Sequence, residues 1–298
     1  MTDRTALDAW LLIVGAGPAG CNAAAAAAGV KRDSLLIDPA ALAGGNLPRI
    51  THLDNLPGFG TGEAYAQALR SHLAGLDGFC SYVQAEAEQI AADDHCVRVT
   101  LGDGTTLTGA VLVAATGVRA ARTAEVPWVT SDADFPQLAS SAPDELGQHV
   151  VVVGGDRPLG TWLRTHPEAV QKLTVCHTAA EAYKVEEVQG DPRVRLVSVE
   201  SVGVAGRGPF AVTVARSDGG REALAADSVV TNAGNLPVPL PGLTTGPDGF
   251  CPPDRQHPRI MTAGDMSGRL AQRVSVASGA GARAALELYS RFGQQVVR

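Results

Sequence analysis

Aromatic residues are scarce in this chain, 4% of 298, and charged residues make up only 18%. The first shortage removes the stacking platforms that single-stranded nucleic acid needs. The second leaves no basic field; the formal net charge is −7, the wrong sign for a nucleic-acid partner. Cysteine is rare as well. The five, at 21, 80, 96, 176 and 251, form no CxxC, no zinc-knuckle spacing and no disulfide framework, so no metal site is expected. Long apolar runs are missing: Trp10–Val14 is far too short to span a bilayer. The chain opens Met1-Thr2-Asp3 with no basic, then apolar, leader pattern. Together these absences point to a soluble, acidic, cytoplasmic protein with neither a membrane nor a nucleic-acid partner. An apolar fraction of 45% supplies a sizeable core, and the length suggests two domains.

Glycine, by contrast, is abundant at 34 residues, and its placement is informative. The apolar run Trp10–Val14 has strand length and is followed at once by Gly15-x-Gly17-x-x-Gly20. The helix formers Ala23–Ala28 come next, then Gly29 as a stop, then a second apolar run, Ser34–Ile37, ending in Asp38. Strand, glycine turn, helix, strand and acid make a βαβ unit built to hold a nucleotide. The first glycine makes the turn, the second lets backbone approach a pyrophosphate, and the third lets helix and strand pack closely. Asp38 stands where a carboxylate can accept from an adenosine ribose. The plan repeats: His149–Val153 reads as a strand, Gly154-Gly155 as a turn, Gly160–Arg164 as a helix start, and Leu173–Cys176 as the next strand. Hairpins follow each unit, Cys96–Leu101 with Thr106–Val113, and Phe210–Ala215 with a strand around Asp227–Thr231. A final helix is expected over about Ser278–Phe292. This predicts an α/β fold of two Rossmann-like domains.

Five segments sharpen the reading: Gly15–Gly20, Ala43-Gly-Gly-Asn-Leu47, Asp54-Asn-Leu-Pro-Gly-Phe59, Ala115-Thr-Gly117, and Ala263-Gly-Asp265 with Gln272-Arg-Val274 and Ala277. In their order and spacing over 10–118 and 259–290, the chain resembles the low-molecular-weight thioredoxin reductase family of FAD-containing pyridine-nucleotide oxidoreductases. The resemblance implies two three-layer ββα-type domains, the second inserted in the first, with FAD held by 1–118 and 246–298 and an NAD(P)-like domain at 119–245. It implies a homodimer and FAD contacts from Gly15, Gly17, Pro18, Ala19, Gly20, Asp38, Gly45, Asn46, Leu47, Asn55, Ala87, Ala115, Thr116, Gly117, Gly264, Asp265, Arg273, Val274 and Ala277. Two of these have plainer alternatives: Asn55 as a turn residue before Pro57, and Asp265 as a helix N-cap.

Two departures qualify the resemblance. The family's redox CxxC is absent: no cysteine occurs from 97 to 175, and Trp128–Phe135, where the pair belongs, offers hydroxyls and carboxylates that cannot exchange disulfides. The family's second glycine loop is replaced by Gly154-Gly-Asp-Arg-Pro-Leu-Gly160, which sets Asp156 or Arg157 where a pyrophosphate approaches, and Pro158 removes an amide donor. Its basic stretch for the NADPH 2′-phosphate aligns with His177-Thr-Ala-Ala-Glu181, without arginine. The expected function is therefore an FAD-dependent oxidoreductase lacking the redox disulfide and NADPH binding. Its flavin would be reduced by another donor or directly by an organic substrate, with a small molecule or a redox protein as partner. The alternatives are an NAD(P)H-dependent flavin reductase serving ferredoxin or another carrier, a silent flavin-binding protein, and a thiol oxidase using Cys21. No catalytic residue is assigned. Cys21 reads as a packing residue or a helix-end thiolate, His52 as a loop residue or an acid–base group. His177 is left similarly open, Arg157 and Arg273 could hold an anion, and Cys251, beside two prolines, is expected near the surface.

Overall fold

Residues 6–76 and 78–293 are described in the computed structural model; Met1-Thr2-Asp3 lies outside the described residues. The chain divides into two compact units, 1–119 with 236–298, and 120–235.

In the first unit the apolar run becomes β1 (Ala9–Val14), in which Trp10, Leu11, Leu12 and Ile13 are fully buried. Each such side chain contributes about 1.5–3 kcal/mol. α1 (Pro18–Gly29) follows, with Pro18 at its first position and alanine through its middle. β2 (Ser34–Asp38), α2 (Gly62–Ala74), β3 (Cys80–Gln84), β4 (Ala87–Ala92), β5 (Val97–Leu101) and β6 (Thr106–Ala114) complete the segment. The sheet order is β3-β2-β1-β6-β5-β4. Besides β1, β6 serves two further partners in turn. Its start pairs antiparallel with β5, and its end pairs parallel with the strand Ile260–Thr262, which returns from the end of the chain. The closing helix begins at Val274, one turn before the sequence suggested, because Arg273 stays extended as its N-cap. It lies close against α1, where a Cβ on Gly281 would overlap the Ala19 carbonyl.

The chain leaves this unit through β7 (Val118–Ala120). The second unit contains β8 (Val129–Ser131), β9 (His149–Val153), α3 (Pro158–Thr165), β10 (Lys172–His177), α4 (Ala182–Val185), β11 (Val194–Ala205), β12 (Phe210–Arg216), β13 (Arg221–Ala226) and β14 (Ser228–Thr231). Its sheet runs β13-β12-β11-β10-β9-β14, with β8 against β11. The second hairpin differs from the sequence reading. β12 pairs with β13, and Asp227–Thr231 is no hairpin arm: β14 lies parallel to β9 instead. Asp227 makes the break, since its amide donates to the His149 carbonyl and its carboxylate accepts from the His149 amide at 2.9 Å.

The return is through β15 (Asn235–Pro237), and the strand Ile260–Thr262 is β16, with the closing helix as α5 (Val274–Phe292). Residues 236–245 therefore belong with the first unit rather than the inserted one. The Ile90 amide donates to the Pro241 carbonyl, and Leu240 and Leu243 pack on the core that holds Ile90.

Candidate functional site

The carboxyl ends of β1, β6 and β16 bring four sequence-distant loops together. Gly15, at φ +101°, lies so close to Ala115 that a Cβ would overlap its carbonyl, and Gly20 is equally tight against Gly15. A Cβ on Gly45 would sit 3.0 Å from the Gly17 Cα. The Asn46 amide nitrogen donates to the Val118 carbonyl at 3.0 Å, and a Cβ on Gly264 would press on the Ala19 methyl. The Ala263 amide donates to the Ala114 carbonyl at 2.9 Å. Thr116 donates its hydroxyl to the Val238 carbonyl, and Gly117 turns the chain at φ +70°. Gly17 and Gly117 are the open ones: among the described residues nothing lies within 4 Å of where their Cβ atoms would be, and of the two Gly17 has ordinary negative φ. It is also the N-cap of α1 and offers the first-turn amides no side chain. The crevice thus has packed walls and one open edge above a helix N-terminus, which suits an approaching pyrophosphate.

Asp38 shapes the loop from β2. One carboxylate oxygen accepts the Ala16 amide at 2.7 Å and the other the Ala40 amide at 2.9 Å. Each oxygen keeps a lone pair for a ribose hydroxyl. Leu47 is buried beneath Gly44-Gly45, and Ala87 packs in one cluster with Val14, Ile37 and Ala114, directly under the strand ends. Asn55 lies exposed on its loop. Val274 and Ala277 are buried in the first turns of α5, which has no side-chain cap, while Arg273 donates to the Gln272 carbonyl at 2.8 Å.

Asp265 carries the strongest signal. Its Oδ1 is buried with no hydrogen-bond partner among the described residues, and burial raises the carboxyl to about 6 against the lowering effect of Arg273. The bland alternative, an N-cap, does not hold, because the short turn Gly264–Ser267 has Ala263 in that place. A buried acceptor without a donor is costly unless a ligand hydroxyl completes it.

Sequence reasoning missed a hydroxyl chain that ties three helices. The Asn22 amide donates to the Tyr65 hydroxyl at 3.0 Å, and Tyr65 and Ser278 lie 2.9 Å apart. Ser278 spends its proton on the Val274 carbonyl at 2.8 Å, so Tyr65 must be the donor between them. No periodic pattern marks such a chain, which only the packing of α1, α2 and α5 assembles.

The remaining candidates resolve as follows. Cys21 is buried, donates to the Ala16 carbonyl at 3.2 Å, and has its thiol pushed up to about 12 by burial, with Cys80 and Asp38 adding to it. That is the packing reading, since a thiolate is what reacts. Cys251 corrects the expectation of exposure. It is fully buried, because its amide and carbonyl are held by Met266 and Thr262 and its thiol joins the core with Leu12 and Ile260. His52 is exposed; His177 is buried at the end of β10, its Nδ1 3.0 Å from the Thr178 carbonyl.

In the second unit, the loop after β9 is tied to the segment after β14. The Asp156 amide donates to the Asn232 carbonyl at 3.0 Å, and the Asn232 side chain donates back to the Asp156 carbonyl at 2.6 Å. The Asp156 carboxylate accepts from Lys184 at 2.8 Å. Arg157 stands 5.9 Å over the Tyr183 ring. Glu181 accepts from the Thr178 amide and hydroxyl, and the Glu187 carboxylate crowds Gly160 in the first turn of α3.

Two Rossmann-like α/β units, the second inserted in the chain of the first and the first carrying an intact dinucleotide loop, define the architecture of a flavoprotein oxidoreductase. The sequence profile of the pyridine nucleotide-disulphide oxidoreductase family matches residues 9–156. Thioredoxin reductases of Listeria monocytogenes and Listeria innocua are each 24% identical over 294 residues, 91% of this chain and 90% of theirs. Among solved structures, the Lactococcus lactis thioredoxin reductase superposes with a TM-score of 0.75 at 18% identity, covering 95% of this chain and 98% of that one. The T. acidophilum enzyme gives 0.72 at 22% identity over the same shares. By sequence and fold the chain resembles the thioredoxin reductases among the FAD pyridine nucleotide-disulphide oxidoreductases. FAD is its cofactor, and the unpartnered Asp265 and the open edge at Gly17 fit it. Among the described residues no helix is long and apolar enough to cross a membrane.

Proposed function

We propose that this protein is an FAD-dependent oxidoreductase that works without a disulfide relay and takes electrons from a donor other than NADPH. That donor is a redox protein or an organic substrate oxidised at the flavin itself. The observation that carries the proposal is the state of the cysteines in the inserted unit. Cys176 is the one cysteine between 120 and 235; it is fully buried in β10, and burial pushes its thiol up to about 12. A relay needs a thiolate pair within reach of a partner disulfide, and this unit supplies neither pair nor thiolate. The missing arginines after β10 support the second half of the proposal.

FAD supplies the electron-accepting ring; the chain binds and orients it. Gly17 and the first turn of α1 would hold the pyrophosphate, Asp38 the ribose, Asp265 a hydroxyl of the linking chain, and the Val274 backbone at the start of α5 the ring. A homodimer is consistent with the family likeness.

The test is an anaerobic titration of the FAD-loaded protein with NADPH, then NADH, then dithionite, followed at the flavin band. We expect no bleaching by either nucleotide and full bleaching by dithionite. Stoichiometric bleaching by a nucleotide would overturn the proposal in favour of an NAD(P)H-dependent flavin reductase serving ferredoxin or another carrier. A flavin inert to every donor would make it a binding protein.

A further inference from the structure

We propose that Asp156 is the residue that closes the inserted unit to nicotinamide dinucleotides: its carboxylate, paired with Lys184, fills the place where a dinucleotide pyrophosphate would lie. The inference rests on the reading above and names the residue that enforces it.

In a parallel α/β sheet, ligands bind beyond the carboxyl ends of the strands where the strand order reverses, with the pyrophosphate at a helix N-terminus. In this unit the reversal falls at β9, which lies between β10 and β14. The segments leaving these three strands carry Asp156, Lys184 (in α4) and Asn232. Asp156 is the residue that joins them, through its backbone to Asn232 and through its carboxylate to Lys184. Only 14% of its side chain and 25% of that of Lys184 is exposed, so the pair sits inside the crevice rather than on its rim. Asp156 Oδ2 also lies 3.5 Å from where a Cβ on Gly234 would stand, which puts the carboxylate over the end of the β14 segment.

The charges around it point the same way. The Glu187 carboxylate crowds Gly160 in the first turn of α3, while the Asp156 carboxylate lies over the segment after β14. An incoming pyrophosphate would meet like charge at both. Lys184, the cation that could receive it, is already paired. Arg157, stacked over Tyr183, extends the same cross-link between the β9 loop and α4. The backbone around Asp156 is held by its own amide and carbonyl, independent of the side chain, so a substitution there removes the carboxylate and leaves the loop anchored.

The prediction is a gain of binding that depends on Lys184. Calorimetric titration of the FAD-loaded protein with ADP-ribose, which carries the pyrophosphate but no hydride, reads the crevice without reading the flavin. Wild type is expected to give no binding at millimolar concentration. D156A is expected to bind on the order of a hundredfold more tightly, because like-charge repulsion is removed and Lys184 is released. D156N, which preserves the shape and removes the charge, gains less than D156A but more than wild type. In D156A/K184A the gain is lost. Wild type binding ADP-ribose as tightly as D156A overturns the inference. So does a gain that survives in D156A/K184A. If D156A and D156N both stay blank while retaining FAD and their circular dichroism, this inference fails and the proposed function stands. Reduction of the wild-type flavin by NADPH without ADP-ribose binding overturns the proposed function and leaves the inference standing.

Discussion

Asp265 holds its proton to about pH 6 because burial outweighs the nearby Arg273 guanidinium. An exposed carboxyl gives up its proton near pH 4, at about 3.9. Between those values the folded, FAD-free protein binds more protons than the unfolded chain, so stability falls as pH rises through the window and levels off above it. Neutral D265N escapes that loss. Stripped of FAD, it should be more stable than wild type at pH 7.5 by at most about 3 kcal/mol, with the difference vanishing near pH 4 in denaturant titrations. The sign reverses for the cofactor. Hydroxyl donors favour the carboxylate, so wild-type affinity for FAD should fall as pH drops below 6, while D265N binds weakly and shows no such slope. Flavin fluorescence across pH 5–8 measures both. An equal slope in D265N would assign the pH dependence elsewhere. Cys21 gives the contrasting case: its buried, proton-retaining thiol should ignore thiol reagents in the native protein, and C21S should keep FAD. Asp265 and Cys21 were both visible as candidates in the sequence. Their roles were not, because burial and the missing donor are properties of the packed site.

At the scale of elements, the glycines of the first loop and of the facing α5 divide into packing and binding residues. Gly20 and Gly281 face backbone carbonyls at distances no Cβ tolerates, whereas Gly17 faces open space. G281A should therefore destabilise the fold by about 1–3 kcal/mol or more, since α1 and α5 must move apart. G17A should keep its unfolding midpoint and weaken FAD binding. Equal losses of stability in the two variants would refute the division. The same elements show what the sequence made legible. The βαβ units could be read because buried strands are continuous apolar runs and the turns are marked by glycine. The second hairpin was misread because β13 alternates weakly and β14 is short and apolar. Pairing with β9 is decided by Asp227, a single residue whose bonds reach across to His149. Residues 236–245 look like a linker by their prolines, yet Leu240 and Leu243 commit them to the first unit's core.

For the whole molecule, the two units should answer differently to ligands. The first has a buried acceptor at Asp265 and an open glycine edge; the second has the Asp156–Lys184 ion pair after β9. A ligand stabilises the state that binds it by about 2.7 kcal/mol at a hundred times its dissociation constant. Unfolding of a two-unit chain is not expected to be two-state, so a single melting temperature would blur the distinction. Hydrogen exchange resolves it. FAD added to the stripped protein should slow exchange at 15–20, 44–47, 115–117 and 264–277, all in the first unit. NADPH or NADH added to the loaded protein should leave 154–160 and 177–185 unchanged. In D156A the same nucleotides should protect those two segments and no others. Protection of 154–160 in wild type would mean that the Asp156–Lys184 pair opens readily, and the inserted unit would then be a nucleotide domain after all. Protection confined to the first unit would instead fix the division of labour along the chain: one unit holds the cofactor, and the other, built on the same plan, has given its ligand site to a salt bridge.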